Sequence, residues 1–174
     1  MGIIVGCENL PTKGEIMLKI LALDPSGTGT TGICLINGSK ITFQEYQSPE
    51  WKKHHAFISQ LAQAEQANLV LYETTNYINS QGKDMTSLIK LLGTLELLTD
   101  LSIPVNQVKD LKSKLLAGTK QIPELTFKKG RGKGWMFKNK RISLHQLDAF
   151  LVYWLWKERR KTCFESSEKG GQHG

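Results

Sequence analysis

Three acids and one histidine stand out through the patterns that surround them. Leu144, Leu147, Leu151 and Leu155 recur at i, i+3, i+7 and i+11 and predict a helix whose apolar stripe also carries Asp148. A carboxylate on a core-facing stripe is costly unless a cation, a hydrogen-bond network or a cleft receives it. His145 lies three residues earlier on the same face, so one helix presents two potential metal ligands a turn apart. The plainer arrangement is that His145 caps the helix start and Asp148 pairs with a lysine. Asp24 and Glu73 each close an apolar run, LKILALD and NLVLYE, that reads as a buried strand. If those strands are neighbours, the two carboxylates converge at one sheet edge, where open α/β sheets hold ligands; otherwise each acid merely opens a loop. A convergent set of hard oxygen donors suits Mg2+ or Mn2+ better than zinc. Two such ions roughly 3.5–4 Å apart would activate a water and stabilise the leaving oxygen of an in-line phosphodiester displacement.

Positioning these groups falls to a regular succession of elements. A strand over 18–23 runs into Asp24-Pro25 and a Gly/Thr-rich turn, and strands over 32–36 and 40–46 flank Asn37-Gly38-Ser39, a hairpin signal. Helical spacing covers 51–67, 84–98, 108–117 and 144–161, with Ser143 a good N-cap and Gly118 in the C′ position. Strands are predicted over 68–73 and 103–105. Residues 119–140 hold no sustained period and centre on Gly-Arg-Gly-Lys-Gly, which reads as a basic loop. Residues 1–16 read as a loose extension, 17–162 as the domain and 163–174 as a polar tail. Three strands, helix, strand, helix, strand and two helices describe an α/β sheet with an antiparallel and a parallel half.

The 174 residues, 40% of them hydrophobic, match one domain with one core, and six Phe, four Trp and four Tyr argue against disorder across the chain. The net charge of +7 is unevenly spread. Between Lys109 and Arg141 eleven basic residues face two acids, a net +9 that leaves −2 for the rest. Such a segment is either a polyanion-binding surface or a solvated lysine-rich loop. Cys7, Cys34 and Cys163 form no CxxC pair, so neither a disulfide framework nor a structural zinc site is suggested, and a reducing, cytoplasmic or nucleoid-associated setting fits. No run approaches the roughly 20 apolar residues of a membrane span, and the N-terminus lacks the pattern of a signal peptide.

Ile20-Leu21-Ala22-Leu23-Asp24-Pro25-Ser26-Gly27 with Thr31-Gly32, then Leu71-Tyr72-Glu73, Val108-Lys109 and His145-Gln146-Leu147-Asp148-Ala149 resemble, in order and spacing, the RuvC family of Holliday-junction resolvases. This family belongs to the ribonuclease H-like superfamily. The resemblance implies a five-stranded mixed sheet in the order 3-2-1-4-5 with helices on both faces. It also implies a homodimer, with a seam along 84–98, that nicks symmetric strands of a four-way DNA junction. Asp24, Glu73, His145 and Asp148 would then bind two Mg2+ ions, His145 standing where the family often has Asp. Lys109 would contact the phosphate near the scissile bond, and Lys133 would stand for a second such lysine. Lys112, Lys128, Lys129 and Arg131 would extend the phosphate-binding surface. Tyr77 is the nearest match to the aromatic that the family places after the fourth-strand Glu. The 119–140 segment departs from the family, which usually has a further helix there.

Three other readings compete. An RNA-processing nuclease of the same superfamily would use the same acids. A non-catalytic module would use 109–141 as a phosphate-tracking arm whose binding is salt-dependent and indifferent to Mg2+. The stretch from Asp24 to Gly32 also looks like the phosphate loop of actin-like ATPases and sugar kinases, but these close a second domain over the nucleotide, for which 174 residues leave no room. No GxxxxGK[ST] motif is present.

Overall fold

The structure, a computed structural model, describes residues 18–75, 83–99 and 101–169. Its centre is β1 (Lys19–Asp24), apolar throughout its middle because both its faces are covered. Side chains alternate across a strand: Ile20 and Ala22 enter one core, Leu21 and Leu23 the other, and all four are buried. On one side β1 pairs antiparallel with β2 (Thr30–Asn37), which pairs antiparallel with β3 (Lys40–Gln47). On the other it pairs parallel with β4 (Leu69–Thr74), which pairs parallel with β5 (Ser102–Pro104). The order β3-β2-β1-β4-β5 is the ribonuclease H-like arrangement that the family resemblance implies.

Helices α1 (Trp51–Ala64) and α2 (Lys83–Leu95) cover one face, burying Ile58, Leu91, Leu92 and Leu95 against Leu21, Leu23 and Ile33. The opposite face receives α3 (Val105–Leu116) and α4 (Leu144–Lys169), through Val108, Leu111, Leu147, Phe150 and Leu151. Within the expected leucine stripe of α4 the first member differs, because Leu144 is 61% exposed while Leu147 and Leu151 are fully buried. The helix also continues to Lys169, beyond the end of its periodic pattern. No helix among the described residues is long and apolar enough to cross a membrane.

Both helix ends flagged in the sequence have their capping chemistry. At the C-terminus of α3, Gly118 adopts φ +74°, its N–H donates to the Leu115 carbonyl, and the Thr119 N–H donates to the Lys114 carbonyl, a Schellman closure. At the start of α4 the Gln146 N–H donates to Ser143 Oγ (3.1 Å), and the Ser143 N–H donates to Gln146 Oε1 (3.1 Å), a reciprocal capping box.

The basic loop expected over 119–140 is instead largely a second, three-stranded antiparallel sheet. It comprises β6 (Leu125–Lys128), β7 (Gly134–Phe137) and β8 (Lys140–Ile142). Leu125, Trp135, Phe137 and Ile142 bury their side chains in the α4-side core. The Phe137 ring lies edge-on to Phe43 and Phe150, with centroids 5.0 and 5.1 Å away. Burial alternates along β7, but over four residues only, too short to register as a period. The β7–β8 turn is Lys138-Asn139, both with positive φ (46° and 66°), as the tight primed hairpin requires.

Candidate active site

Leu23 pairs with Tyr72 across the parallel β1–β4 ladder, so Asp24 and Glu73 come level on adjacent strands at the C-terminal sheet edge. Leu23 and Tyr72 face the α1–α2 core. By alternation the two acids therefore face the α3–α4 side. There α4 supplies His145, whose Nδ1 lies 2.9 Å from Asp24 Oδ2. The carboxylate accepts from Nδ1–H, which leaves the Nε2 lone pair of the neutral ring free for a ligand. Gly32 is the β2 partner of Asp24, and a Cβ there would sit 2.0 Å from the His145 carbonyl oxygen. Only a glycine lets the first turn of α4 rest this closely on the sheet.

Asp148, one turn further along α4, is held by Lys112 of α3, whose Nζ lies 2.7 and 2.8 Å from its two oxygens. The pairing with a lysine that the sequence offered as the plainer arrangement is thus present. Lys112, expected as a phosphate contact, is bound to an acid of the site. Contacts are pairwise, Asp24 with His145 and Asp148 with Lys112, and among the described residues no group of three or more His, Cys, Asp or Glu forms a metal-ligand cluster.

The four groups nevertheless share one field. Burial, then repulsion from Asp24 and Asp148, pushes the Glu73 carboxyl up to about 8 against the opposing pull of Lys112 and Lys109. Burial is also the main cause that raises Asp24, outweighing its hydrogen bond from His145. His145 is raised, chiefly by that same hydrogen bond. A centre with more buried negative charge than its lysines neutralise suits a hard divalent cation, and three carboxylates with one imidazole are an appropriate donor set.

All three shifts have one sign. A group whose folded pKa lies above its unfolded value contributes stability at low pH that is lost as pH rises through the folded pKa. The metal-free protein is therefore expected to lose stability as pH rises out of the ordinary carboxylate range, with the Glu73 share of that loss extending to about pH 8. Thermal melts in EDTA from pH 4 to 9 check this, and Glu73→Gln should flatten the alkaline part of the curve. An unchanged slope in that variant would remove Glu73 from the account.

The sequence does not single out His54 or Glu45, and gives Ser26, Gly27 and Thr31 only within the quoted motif, yet all five position the site. Thr31 and His54 are fully buried. His54 Nε2 lies 2.9 Å from the Ser48 carbonyl, which can only accept, so Nδ1 takes the hydrogen of Thr31 Oγ1 at 2.8 Å. Thr31 Oγ1 in turn accepts the Ser26 N–H (3.0 Å), tying the turn after Asp24 to α1. Gly27 allows α2 to approach this turn, since a Cβ would lie 2.3 Å from the Leu88 nitrogen. Glu45 accepts the Ser143 hydroxyl at the head of α4. The only sequence signals were the glycines and a histidine inside a helical pattern. Cys34 is fully buried, and that burial pushes its thiol up, which favours the protonated form.

Of the expected phosphate contacts, Lys109 is exposed on α3, Lys128 ends β6, and Lys129, Arg131 and Lys133 stand exposed in the β6–β7 connection. Lys133 shares a groove with Lys109 and Lys112, the second of which holds Asp148. Tyr77 lies outside the described residues.

No protein-family model and no curated protein sequence matches the chain. Among solved structures, T. thermophilus RuvC in complex with a Holliday junction substrate superposes with a TM-score of 0.50 and 11% identity, over 78% of this chain and 89% of that one. The large terminase nuclease of the thermophilic phage G20c superposes with a TM-score of 0.41 and 7% identity, over 78% and 79% of the two chains. At 11% identity the likeness to the T. thermophilus protein is one of fold, and with the strand order β3-β2-β1-β4-β5 that fold is ribonuclease H-like.

Proposed function

We propose that this chain is a metal-dependent endodeoxyribonuclease that resolves four-way DNA junctions by paired, symmetric nicks. The observation that carries the reading is that Asp24 and Glu73 come level on adjacent strands, with His145 against Asp24 and with Asp148 in the same electrostatic field, near lysines of α3 and of the second sheet. Asp24, Glu73 and Asp148, with His145, would hold Mg2+, for which Mn2+ would substitute, and two bound ions would supply an activated water and stabilise the leaving oxygen. The rest falls to the chain's own groups. Asp24 fixes the tautomer and direction of the His145 ring. Lys112 neutralises Asp148 until substrate phosphate competes for its ammonium, and Lys109 and the hairpin lysines hold the backbone of the bound strand. The choice of a branched substrate is supported by the junction bound to the T. thermophilus protein. Exposed Ile89, Leu97 and Leu98 along and just after α2 support a homodimer seam there.

One observation favours a binding module without catalysis: Asp148 already has a cation in Lys112. A single assay separates the readings. Incubated with Mg2+, the protein should place paired nicks at symmetric positions of a synthetic four-way junction. Cleavage of RNA substrates without junction cleavage would make it an RNA-processing nuclease. Tight junction binding with no cut in either Mg2+ or Mn2+ would make it a module.

A further inference from the structure

Next to the acids, a groove of about 600 Å3 runs between α3, the β6–β7 hairpin and the first turn of α4. Its walls combine two chemistries. Phe127 and Trp135 line it with tilted rings 5.1 Å apart, and Leu116 and Leu144 continue the apolar surface. Those leucines are 51% and 61% exposed, two of the five exposed large hydrophobics among the described residues. Lys109, Lys112 and Lys133 also line the groove, and among the described residues no acid does. An apolar wall alone would suit many partners, but Lys109 and Lys133, which among the described residues pair with no acid, together with Lys112 shared with Asp148, select an anion. A nucleotide is an anion that also carries a flat face, and so matches both walls. The volume lies in the range of pockets that enclose one small-molecule-sized unit.

The groove also has a direction. Lys112 belongs both to its lining and to the Asp148 pair, and Lys109 acts on Glu73. An anion that fills the groove would therefore lie beside the acids. We infer that the groove receives one unpaired nucleotide of the DNA strand, its base against Phe127, Leu116 and Leu144 and its phosphates against the three lysines. The inference rests on the nucleic-acid reading above and adds a source of structure selectivity to it. A base stacked in a duplex cannot enter, whereas one released at a branch can. Because every base has an apolar face, such a site discriminates paired from unpaired rather than one sequence from another.

Binding without catalysis tests this separately from the nuclease reading. In EDTA, fluorescence anisotropy would compare a short oligothymidylate with a sugar-phosphate chain of equal length and charge that lacks its bases. The base-bearing strand should bind roughly tenfold tighter to the wild type. Phe127→Leu keeps an apolar side chain and removes the ring, and should cut that ratio to below about threefold without changing affinity for the abasic chain. Leu116→Ser, at an exposed position that leaves the fold intact, should lower the ratio in the same direction. Lys109→Gln with Lys133→Gln should weaken both strands alike and flatten the salt dependence. Equal binding of the two strands by the wild type, or an unaltered ratio in both apolar-wall variants, would overturn the inference. Neither result bears on whether Mg2+ supports nicking, and a protein that nicks nothing could still show the ratio.

Discussion

An Asp24→Asn variant is expected to bind a four-way junction with nearly wild-type affinity in EDTA and to lose Mg2+-dependent nicking by more than about a hundredfold. Outer-shell partners of metal ligands cost about 10–100-fold when removed, and a direct ligand should cost more. Asparagine keeps the shape and an acceptor oxygen for His145 Nδ1, so the 2.9 Å contact survives while the charge that a cation needs is gone. Stability should move the other way. Burial holds Asp24 above its ordinary pKa, so its ionised form is a strained guest, and the neutral amide should melt no lower than the wild type at pH 8. Asp148→Asn should lose nicking to a similar degree but also lose stability, because it leaves the half-buried Lys112 without its bidentate partner. Melting curves beside nicking assays make the comparison. Normal nicking by Asp24→Asn would place the chemistry elsewhere, and a marked fall in its melting temperature would mean that Asp24 is structural.

The residues of this site differ in how far their positions could be read from sequence, and the differences have physical reasons. Asp24 and Glu73 were legible because a buried parallel strand is a continuous apolar run, and a polar residue ending that run lies at the sheet edge. His145 and Asp148 were legible because helical spacing fixes which residues share a face. The Lys112–Asp148 pair was legible only as a class, a lysine for a stripe carboxylate. The two residues are 36 apart, and nothing local selects Lys112 over the ten other basic residues of 109–141. The second sheet was missed because its strands are three or four residues long and their stability comes from Trp135 and Phe137 entering the α4-side core, a tertiary effect. In sequence the glycines of that segment read as a loop, whereas Gly130 and Gly132, with φ of 78° and 77°, supply left-handed turns that reverse the chain. This correction also changes the meaning of the charge. Lysines on a long loop would sample many directions, whereas here the connection that carries Lys129, Arg131 and Lys133 is only five residues long between two strands anchored by buried aromatics.

The same close packing that aligns the site makes Gly32 its most sensitive structural position, and Gly32→Ala is expected to damage fold and site together. The added methyl would meet the carbonyl oxygen of His145 at 2.0 Å and its carbonyl carbon at 2.3 Å. Both are backbone atoms, so no rotamer change relieves the overlap. Either α4 rises off β2 or the β1–β2 ladder shifts. Overpacking of this kind costs about 3 kcal/mol, which for a chain of this length lowers the melting temperature by about 6–12 °C. If α4 rises, His145 leaves the Asp24 carboxylate, and nicking should fall well below what the unfolded fraction accounts for, even at temperatures where the variant is fully folded. Gly93→Ala provides the contrast. Its methyl would have nothing within 4 Å on the exposed side of α2, and replacing a helical glycine there should stabilise the protein by up to about 1 kcal/mol without touching activity. Calorimetry and single-turnover nicking on the two variants would separate a general glycine effect from a positional one. A Gly32→Ala protein that melts and cuts like the wild type would mean that α4 does not rest on β2 as closely as the geometry requires, and the placement of His145 against Asp24 would fall with it.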